Sequence, residues 1–396
     1  MKKVGVVSRG ICAPIIKQGM DLVEVASAAV CDAAESEGFA FHDRDVVGIT
    51  ESVLARSQGN YATLEQIAAD VRGKFFGGDS SESDTKTLGV TLPILSRNRF
   101  SQILRGISKA DDNLKLYILL AYPSDEVGNP LISTELLDEK GANPYTDTFT
   151  AEEFVAKFGK PVHPFTGIDY IEYYKEITDG KAEIIIGNNP CEILKYTGNV
   201  ICADIHTRKR SKRLLRESGA KKVIGIDEIL NESVDGSGFH PEYGLLGSNM
   251  ATDDTVKLFP RNAQEFAESL NARLREKTGK NIEVLVYGDG AFKDPVGGIW
   301  ELADPVVSPG FTSGLNGTPH ELKLKYLADN VNDSEDAIKD MIKKNKSDET
   351  TGILSQGTTP RRFTDLLGSL CDLTSGSGDK GTPIVLIQGY FDNYAT

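Results

Sequence analysis

The stretch NIEVLVYGDGAFKDPVGG, residues 281–298, contains an apolar run that indicates the fold and an aspartate that raises the question of a ligand site. Its first half is a short, nearly continuous apolar run, and Asp289 follows that run between two glycines. Such a run is typical of a strand that is buried on both faces in a sheet covered by helices. A carboxylate directly after a strand is either a turn former or part of a ligand site.

Similar runs recur along the chain and alternate with amphipathic helical segments. Helices are predicted at 21–38 and 262–280, with Gly38 and Gly279 as their C-terminal caps. Strands are predicted at 4–8, 45–50, 114–122, 182–187, 199–204, 222–227, 282–288 and 383–389. This alternation predicts an α/β protein, in which a mixed sheet carries helices on its faces.

The composition argues against several classes of partner. The 396 residues carry a formal charge of −14, so no nucleic-acid partner is expected. A basic stripe at 206–218 is predicted to be a solvated helical face, with contact to an anionic ligand as the alternative.

The five cysteines are widely spaced and indicate neither a disulfide framework nor a zinc site. No apolar window has the length of a signal peptide or membrane span, so a cytoplasmic protein without a membrane partner is expected.

Polar side chains follow many of the predicted strands. In open α/β sheets ligands bind outside the carboxyl ends of the strands, and carboxylates gathered there would form a metal or phosphate site. Ordinary turn and helix-capping roles are the alternative for each residue taken singly. The residues concerned are Thr50, Glu51, Ser52, Asn188, Asn189, Asp204, His206, Asp227, Glu228 and Asp289.

A glycine-rich loop, TSGSGDKGTP at 374–383, contains the pattern G-x-G-x-x-G. A dinucleotide fingerprint needs a strand before it and a helix after it, whereas here a helix-like segment precedes and a strand follows. The loop is therefore either a phosphate cradle built from backbone N–H groups or a plain connection.

Five segments, taken in order, resemble the coenzyme F420 gamma-glutamyl ligases. The resemblance implies a ligase-like nucleotide- and metal-binding domain formed by 1–75 and 236–396, with 76–235 as an inserted α/β region of unknown role. It also implies amide-bond formation between L-glutamate and a carboxylate acceptor, with GTP or ATP, Mg²⁺ or Mn²⁺, and a homodimer. The segments are GICAPIIKQGMDLVEV (10–25), DRDVVGITESVLARSQGN (43–60), GFHPEYGLLGSNMATDDTVKLFP (238–260), VLVYGDGAFKDP (284–295) and the C-terminal stretch 358–389.

The same resemblance implies roles for individual residues. Asp289 is expected to hold the metal, and Arg56, at the position of a family lysine, to contact phosphate; these two are the expected catalytic residues. Further nucleotide contacts are expected at Pro14, Ile15, Glu51, Ser52, Asn249, Ser375, Gly376, Ser377, Gly378 and Gly381.

Three positions depart from the family pattern around the metals. Leu246, Gly290 and Ser377 stand where the family has an aspartate, a threonine and a glutamine. Leucine has no oxygen to give to a hard cation. Either Glu242, Asp253 or Asp254 therefore supplies the missing carboxylate, or the metal arrangement has changed.

Ligase chemistry of this kind requires an acyl phosphate, because a carboxylate is a poor acyl donor at neutral pH. The acceptor implied is an F420-0-like carboxylate, with gamma-glutamylation of a folate as the alternative. Two other classes stay open. One is a metal-dependent phosphohydrolase that uses Asp289 and Asp294, and the other is a nucleotide-binding protein without catalysis, which Leu246 and Gly290 would suit.

Overall fold

The structure is a computed structural model. It describes residues 3–77, 86–96, 100–163, 167–289, 306–319, 322–325, 335–346, 361–375 and 380–396, without the side chains of 289, 306, 307, 345 and 346. The strands are β1 (Val7–Ile11), β2 (Val46–Thr50), β3 (Tyr61–Thr63), β4 (Lys86–Thr91), β5 (Leu114–Leu120), β6 (Phe149–Thr150), β7 (Ala182–Ile186), β8 (Asn199–Cys202), β9 (Lys222–Gly225), β10 (Asn249–Thr252), β11 (Thr255–Lys257), β12 (Glu283–Asp289), β13 (Val306–Phe311) and β14 (Ile384–Gln388). The helices are α1 (Leu22–Glu37), α2 (Glu51–Ser57), α3 (Leu64–Phe76), α4 (Phe100–Ser108), α5 (Thr134–Lys140), α6 (Ala151–Phe158), α7 (Tyr170–Ile177), α8 (Arg208–Glu217), α9 (Ala263–Thr278), α10 (Glu335–Lys346) and α11 (Phe363–Ser375).

The chain forms two compact units. Unit 1 consists of Met1–Gln58 and Asn262–Thr396, and unit 2 of Gly59–Arg261. Unit 2 is longer at both ends than the predicted inserted region, 76–235. It includes β3 and β11, because these strands pair with each other, Tyr61 opposite Lys257.

Unit 1 is built on a five-stranded sheet with the order β1-β14-β2-β12-β13. Strands β2 and β12 are parallel, whereas the other neighbours are antiparallel. Apolar residues of α1 and α9 cover one face of the sheet, and Leu367 and Cys371 of α11 pack on the other. The prediction of a mixed sheet with helices on its faces is confirmed.

The two helices predicted from capping signals have the expected ends. The Asp21 carboxylate accepts hydrogen bonds from the backbone N–H groups of Val23 and Glu24 and so caps α1. Gly38 and Gly279 follow α1 and α9 with φ angles of 68° each, in the left-handed region that glycine enters at low cost.

The first strand lies three residues later than predicted, at Val7–Ile11 instead of 4–8. Ile11 is buried and pairs with Ile384, whereas Val4 and Val6 are 60% and 49% exposed. The apolar residues at 4 and 6 suggested a strand, but the pairing with β14 places the strand around Ile11.

Unit 2 contains a six-stranded sheet with the order β6-β7-β5-β4-β8-β9 and a smaller sheet, β10-β11-β3. All neighbours in the larger sheet are parallel except β6, which is antiparallel to β7. The α/β character of this region is confirmed. The central strand β4 was not predicted, because its sequence KTLGVT mixes polar residues into the apolar run.

Candidate functional site

Four segments of unit 1 meet at one edge of its sheet. Thr50, at the end of β2, lies opposite Tyr287 near the end of β12. Ile384, at the start of the antiparallel β14, pairs with both Ile49 and Ile11. The loop after β1, the N-terminus of α2, the segment before β14 and the end of β12 therefore share this edge.

Glu51 directly follows β2, and Asp289 ends the neighbouring parallel strand β12. Glu51 is the first residue of α2 and only 3% exposed. A Cβ atom added to Gly288 would lie 2.1 Å from Cγ of Glu51, so the Glu51 side chain lies directly against β12. Asp289 is the next residue and the last of that strand. Its side chain is outside the described structure.

A divalent cation prefers carboxylate oxygens. Glu51 is therefore a candidate ligand, and Asp289 is a predicted one. No group of three His, Cys, Asp or Glu side chains that could hold a metal ion occurs among the residues that the structure describes. Because the Asp289 side chain is not among them, its prediction as a metal ligand stays a prediction.

The loop at residues 12–19 is held in place on both sides. The Arg56 guanidinium donates a hydrogen bond of 2.6 Å from Nε to the carbonyl of Ile16. The N–H groups of Gly19 and Ala13 donate to the carbonyls of Ser57 (2.8 Å) and Gly381 (3.1 Å). The loop is therefore tied both to α2 and to the segment before β14.

The outer surface of this loop carries the predicted contacts Pro14 and Ile15. Both are exposed, and the side chain of Ile15 is 77% exposed. Ser52 and Arg56 are exposed on α2 beside them. The structure thus brings together the unit 1 residues predicted at the N-terminal loop and at α2.

The glycine-rich loop approaches the same edge. The carbonyl of Pro383 accepts a hydrogen bond of 3.1 Å from the N–H of Thr50, and Gly381 has a φ of 69°. Ser375 ends α11, so a helix precedes the loop and β14 follows it, as predicted. Gly376, Ser377 and Gly378 lie outside the described residues.

The remaining predicted residues belong to unit 2. Asn249 begins β10, opposite Lys257, whereas Glu242 and Asp253 are exposed in separate turns. Leu246 is 4% exposed and packs in the core. Ser248 is buried, and its Oγ has no hydrogen-bond partner in the described chain. An orphaned hydroxyl next to Asn249 suits a ligand contact at this segment.

Two of the strand-end residues form ion pairs within unit 2. Asp227 forms an ion pair of 2.7 Å with Arg208, and Glu228 pairs with Lys212. Arg208 and Lys212 come from the basic stripe, which forms α8. Two cations of the stripe are therefore paired within the unit, whereas Lys209 and Arg210 are exposed to solvent. The stripe is largely helical, as predicted.

Gly288 has a structural role that was not predicted: its lack of a side chain leaves room for Glu51. Glycine in the interior of a strand marks a place where another group approaches closely. The sequence signal for this close approach is the glycine that precedes Asp289 in VYGDG.

The fold is that of an α/β protein in which the N-terminus of α2, the end of β12 and the segment before β14 share one edge of the unit 1 sheet. A family model described as F420-0:Gamma-glutamyl ligase matches residues 10–389, nearly the whole chain. The chain therefore belongs to the F420-0:gamma-glutamyl ligase family, a family of enzymes that form an amide bond.

One relative is a coenzyme F420:L-glutamate ligase of Methanocaldococcus jannaschii. It is 24% identical over 210 residues, which are 50% of this chain and 72% of the relative.

In the parts of the chain that the structure describes, no helix is both long and apolar enough to cross a membrane.

Proposed function

We propose that this protein is a nucleotide- and metal-dependent gamma-glutamyl ligase that joins L-glutamate to a carboxylate acceptor. The observation that carries the proposal is the arrangement at the edge of the unit 1 sheet, in a chain of the gamma-glutamyl ligase family. There the buried carboxylate of Glu51 lies against the strand that ends in Asp289.

The reaction needs a phosphoryl transfer followed by attack of an amine. The acceptor carboxylate takes the terminal phosphoryl group of GTP or ATP, and the amino group of glutamate then displaces phosphate from the acyl phosphate. Asp289 and Glu51 would hold Mg²⁺ or Mn²⁺, which neutralises the charge of the triphosphate. Arg56 would contact a phosphate group, because it is a cation fixed by Ile16 at the same edge.

Backbone N–H groups of the loop around Gly381 would support the phosphates from the other side. Pro14 and Ile15 would contact the apolar face of the nucleotide base. Asn249, beside the hydroxyl of Ser248 that has no partner in the described chain, stays a predicted nucleotide contact, and it belongs to unit 2. Glu242 and Asp253 stay candidates for the carboxylate that Leu246 cannot supply.

The proposal is tested by phosphate release from the full chain with glutamate, GTP or ATP, Mg²⁺ or Mn²⁺, and a panel of carboxylate acceptors. The panel contains an F420-0-like acceptor and a folate, which also separates the two acceptor classes. Asp289→Asn should lower kcat/KM by at least about 100-fold. Asp32→Asn, which changes an exposed residue of α1, is the matched control and should retain activity.

Full activity of Asp289→Asn would show that the site is assigned wrongly. Metal-dependent nucleotide binding without glutamate-dependent phosphate release would favour a nucleotide-binding protein that has lost catalysis. Release of phosphate without glutamate would favour the phosphohydrolase. The homodimer and the cytoplasmic location are proposed on the family resemblance and the sequence.

A further inference from the structure

The large sheet of unit 2 has a point at which the strand order reverses. From β4 the chain continues to β5 and β7 on one side, whereas β8 leads to β9 on the other. The reversal lies between β4 and β8, which pair in parallel with Thr91 opposite Cys202. In open α/β sheets, ligands bind in the crevice outside the carboxyl ends of the strands at such a point.

The N-terminus of the ten-residue helix α8 opens into this region. The backbone N–H groups of Ile205, His206 and Thr207, directly before α8, converge on one carboxylate, that of Glu126. Their distances to its oxygens are 2.7, 3.1 and 2.9 Å. Glu126 comes from the connection after β5. Its carboxylate thus occupies the position in which such N-termini bind an anion.

Asp204 gives a second, independent indication of a ligand. It is 1% exposed, and its Oδ2 accepts hydrogen bonds from the hydroxyls of Thr207 (2.7 Å) and Ser211 (2.8 Å), so the carboxyl group lies under the first turns of α8. Its Oδ1 is buried and has no hydrogen-bond partner in the described chain.

The same surroundings affect the pKa of Asp204. Burial raises the pKa of this carboxyl group, and the charge of Glu126 adds to the rise, against the lowering effect of the two hydroxyls. Because Oδ2 already accepts two hydrogen bonds, Oδ1 is the oxygen of this group that has room for a further partner.

The charge of α8 also favours an anion. Its first turn contains Arg208, Lys209 and Arg210 and no acidic residue. Cations at this end of a helix oppose the helix dipole. Arg208 is paired with Asp227, whereas Lys209 and Arg210 are exposed to solvent.

We propose that the crevice formed by Thr91, Glu126 and residues 202–207, here called the switch-point crevice, binds a phosphate-bearing ligand. In the structure, the Glu126 carboxylate accepts hydrogen bonds from the three N–H groups. The phosphate group of the ligand displaces this carboxylate from them. The crevice lies wholly within unit 2, and this inference does not depend on the proposed ligase function.

The experiment measures binding of inorganic phosphate to the full chain by calorimetry at constant ionic strength. Glu126→Ala removes the competing carboxylate and should bind phosphate at least about tenfold more tightly than the wild type. Glu183→Ala, at an exposed position of β7 in the same unit, is the matched control and should bind phosphate as the wild type does. Adding Lys209→Ala and Arg210→Ala to Glu126→Ala should weaken the binding again.

Equal phosphate binding by the wild type and Glu126→Ala would overturn the proposal, as would the same gain in Glu183→Ala. Acetate that binds Glu126→Ala as tightly as phosphate would overturn the assignment to phosphate. If Glu126→Ala does not fold, Glu126→Gln retains the side-chain shape and removes only the charge. It should also bind phosphate more tightly than the wild type, and unchanged binding would overturn the proposal.

Discussion

Substituting Gly288 by alanine tests the central feature of the candidate site. The new Cβ would lie 2.1 Å from Cγ of Glu51, and 3.1 and 3.2 Å from its Cβ and Cδ. Carbon atoms in contact are normally about 3.5 to 4.0 Å apart, so Cγ of Glu51 must move by about 1.5 Å. Because Glu51 is buried, this overpacking should cost about 1 to 3 kcal/mol of unfolding free energy.

The same displacement should affect the reaction. A misplacement of about 1 Å at a reacting group can lower the rate by about 100-fold. We therefore expect Gly288→Ala to lower glutamate-dependent phosphate release by about that factor. Gly5→Ala, where a new Cβ meets nothing within 4 Å, is the control and should leave both quantities nearly unchanged.

A double-mutant cycle separates the clash from other effects of the substitution. Glu51→Ala removes Cγ and Cδ, which leaves only the milder 3.1 Å contact with Cβ. Denaturant unfolding of the four variants should give a coupling free energy of about 1 to 2 kcal/mol, so that Gly288→Ala costs less when Glu51 is already truncated. A coupling near zero would refute the placement of Glu51 against β12.

Two further predictions concern titration and thiol reactivity. Burial, with the charge of Arg261, lowers the pKa of His240 from 6.5 to about 4, so the unfolded chain binds more protons between these values and stability should rise with pH across that window. The free energies of unfolding of the wild type and of His240→Asn are measured from pH 4 to 7. The rise with pH should be larger for the wild type by about 2 kcal/mol, after allowance for solvent screening. Parallel curves for the two proteins would contradict this expectation. Cys12 is exposed, whereas burial raises the pKa of Cys202 to about 12, so Cys12 should react first with a thiol reagent at pH 8. The reaction of Cys12 should be a fast phase that is absent in Cys12→Ser. GTP with Mg²⁺ should slow this phase. A rate of Cys12 modification that does not change with nucleotide would argue against nucleotide binding at the 12–19 loop.

Local signals were enough to predict much of unit 1. The helices α1 and α9 follow from apolar periodicity and from the capping residues Asp21, Gly38 and Gly279, all of which act within a few residues of the helix ends. Strands β2 and β14 follow from apolar runs that are buried on both faces. In these elements the local preference and the tertiary environment agree.

Long-range pairing could not be predicted from the same signals. The register of β1 depends on Ile11 lying beside Ile384, near the other end of the chain. Strand β4 is central in its sheet because it pairs with both β5 and β8, although its own residues are only partly apolar. Neither fact has a local cause in the sequence.

The candidate site shows the same division. That Glu51 and Asp289 follow strands was evident from the sequence. Their position on neighbouring strands depends on the parallel pairing of β2 with β12, and the space for Glu51 depends on Gly288. The residue types were therefore predictable, whereas the glycine that allows their approach became evident only from the packing.

The contacts at the two ends of unit 2 explain how its sequence can stand between the two segments of unit 1. Asn60, close to its first residue, is fully buried, and its side chain donates to the carbonyl of Phe259 and accepts from the N–H of Phe239 and the guanidinium of Arg261, its last residue. The adjacent strands β3 and β11 pair directly after this contact. Contacts within unit 2 hold its two chain ends close together. The flanking segments of unit 1 therefore need little change in structure to accommodate an insertion of this size. The same closure draws residues 59–75 and 236–261 into unit 2, which is why the compact unit extends beyond the predicted inserted region, 76–235.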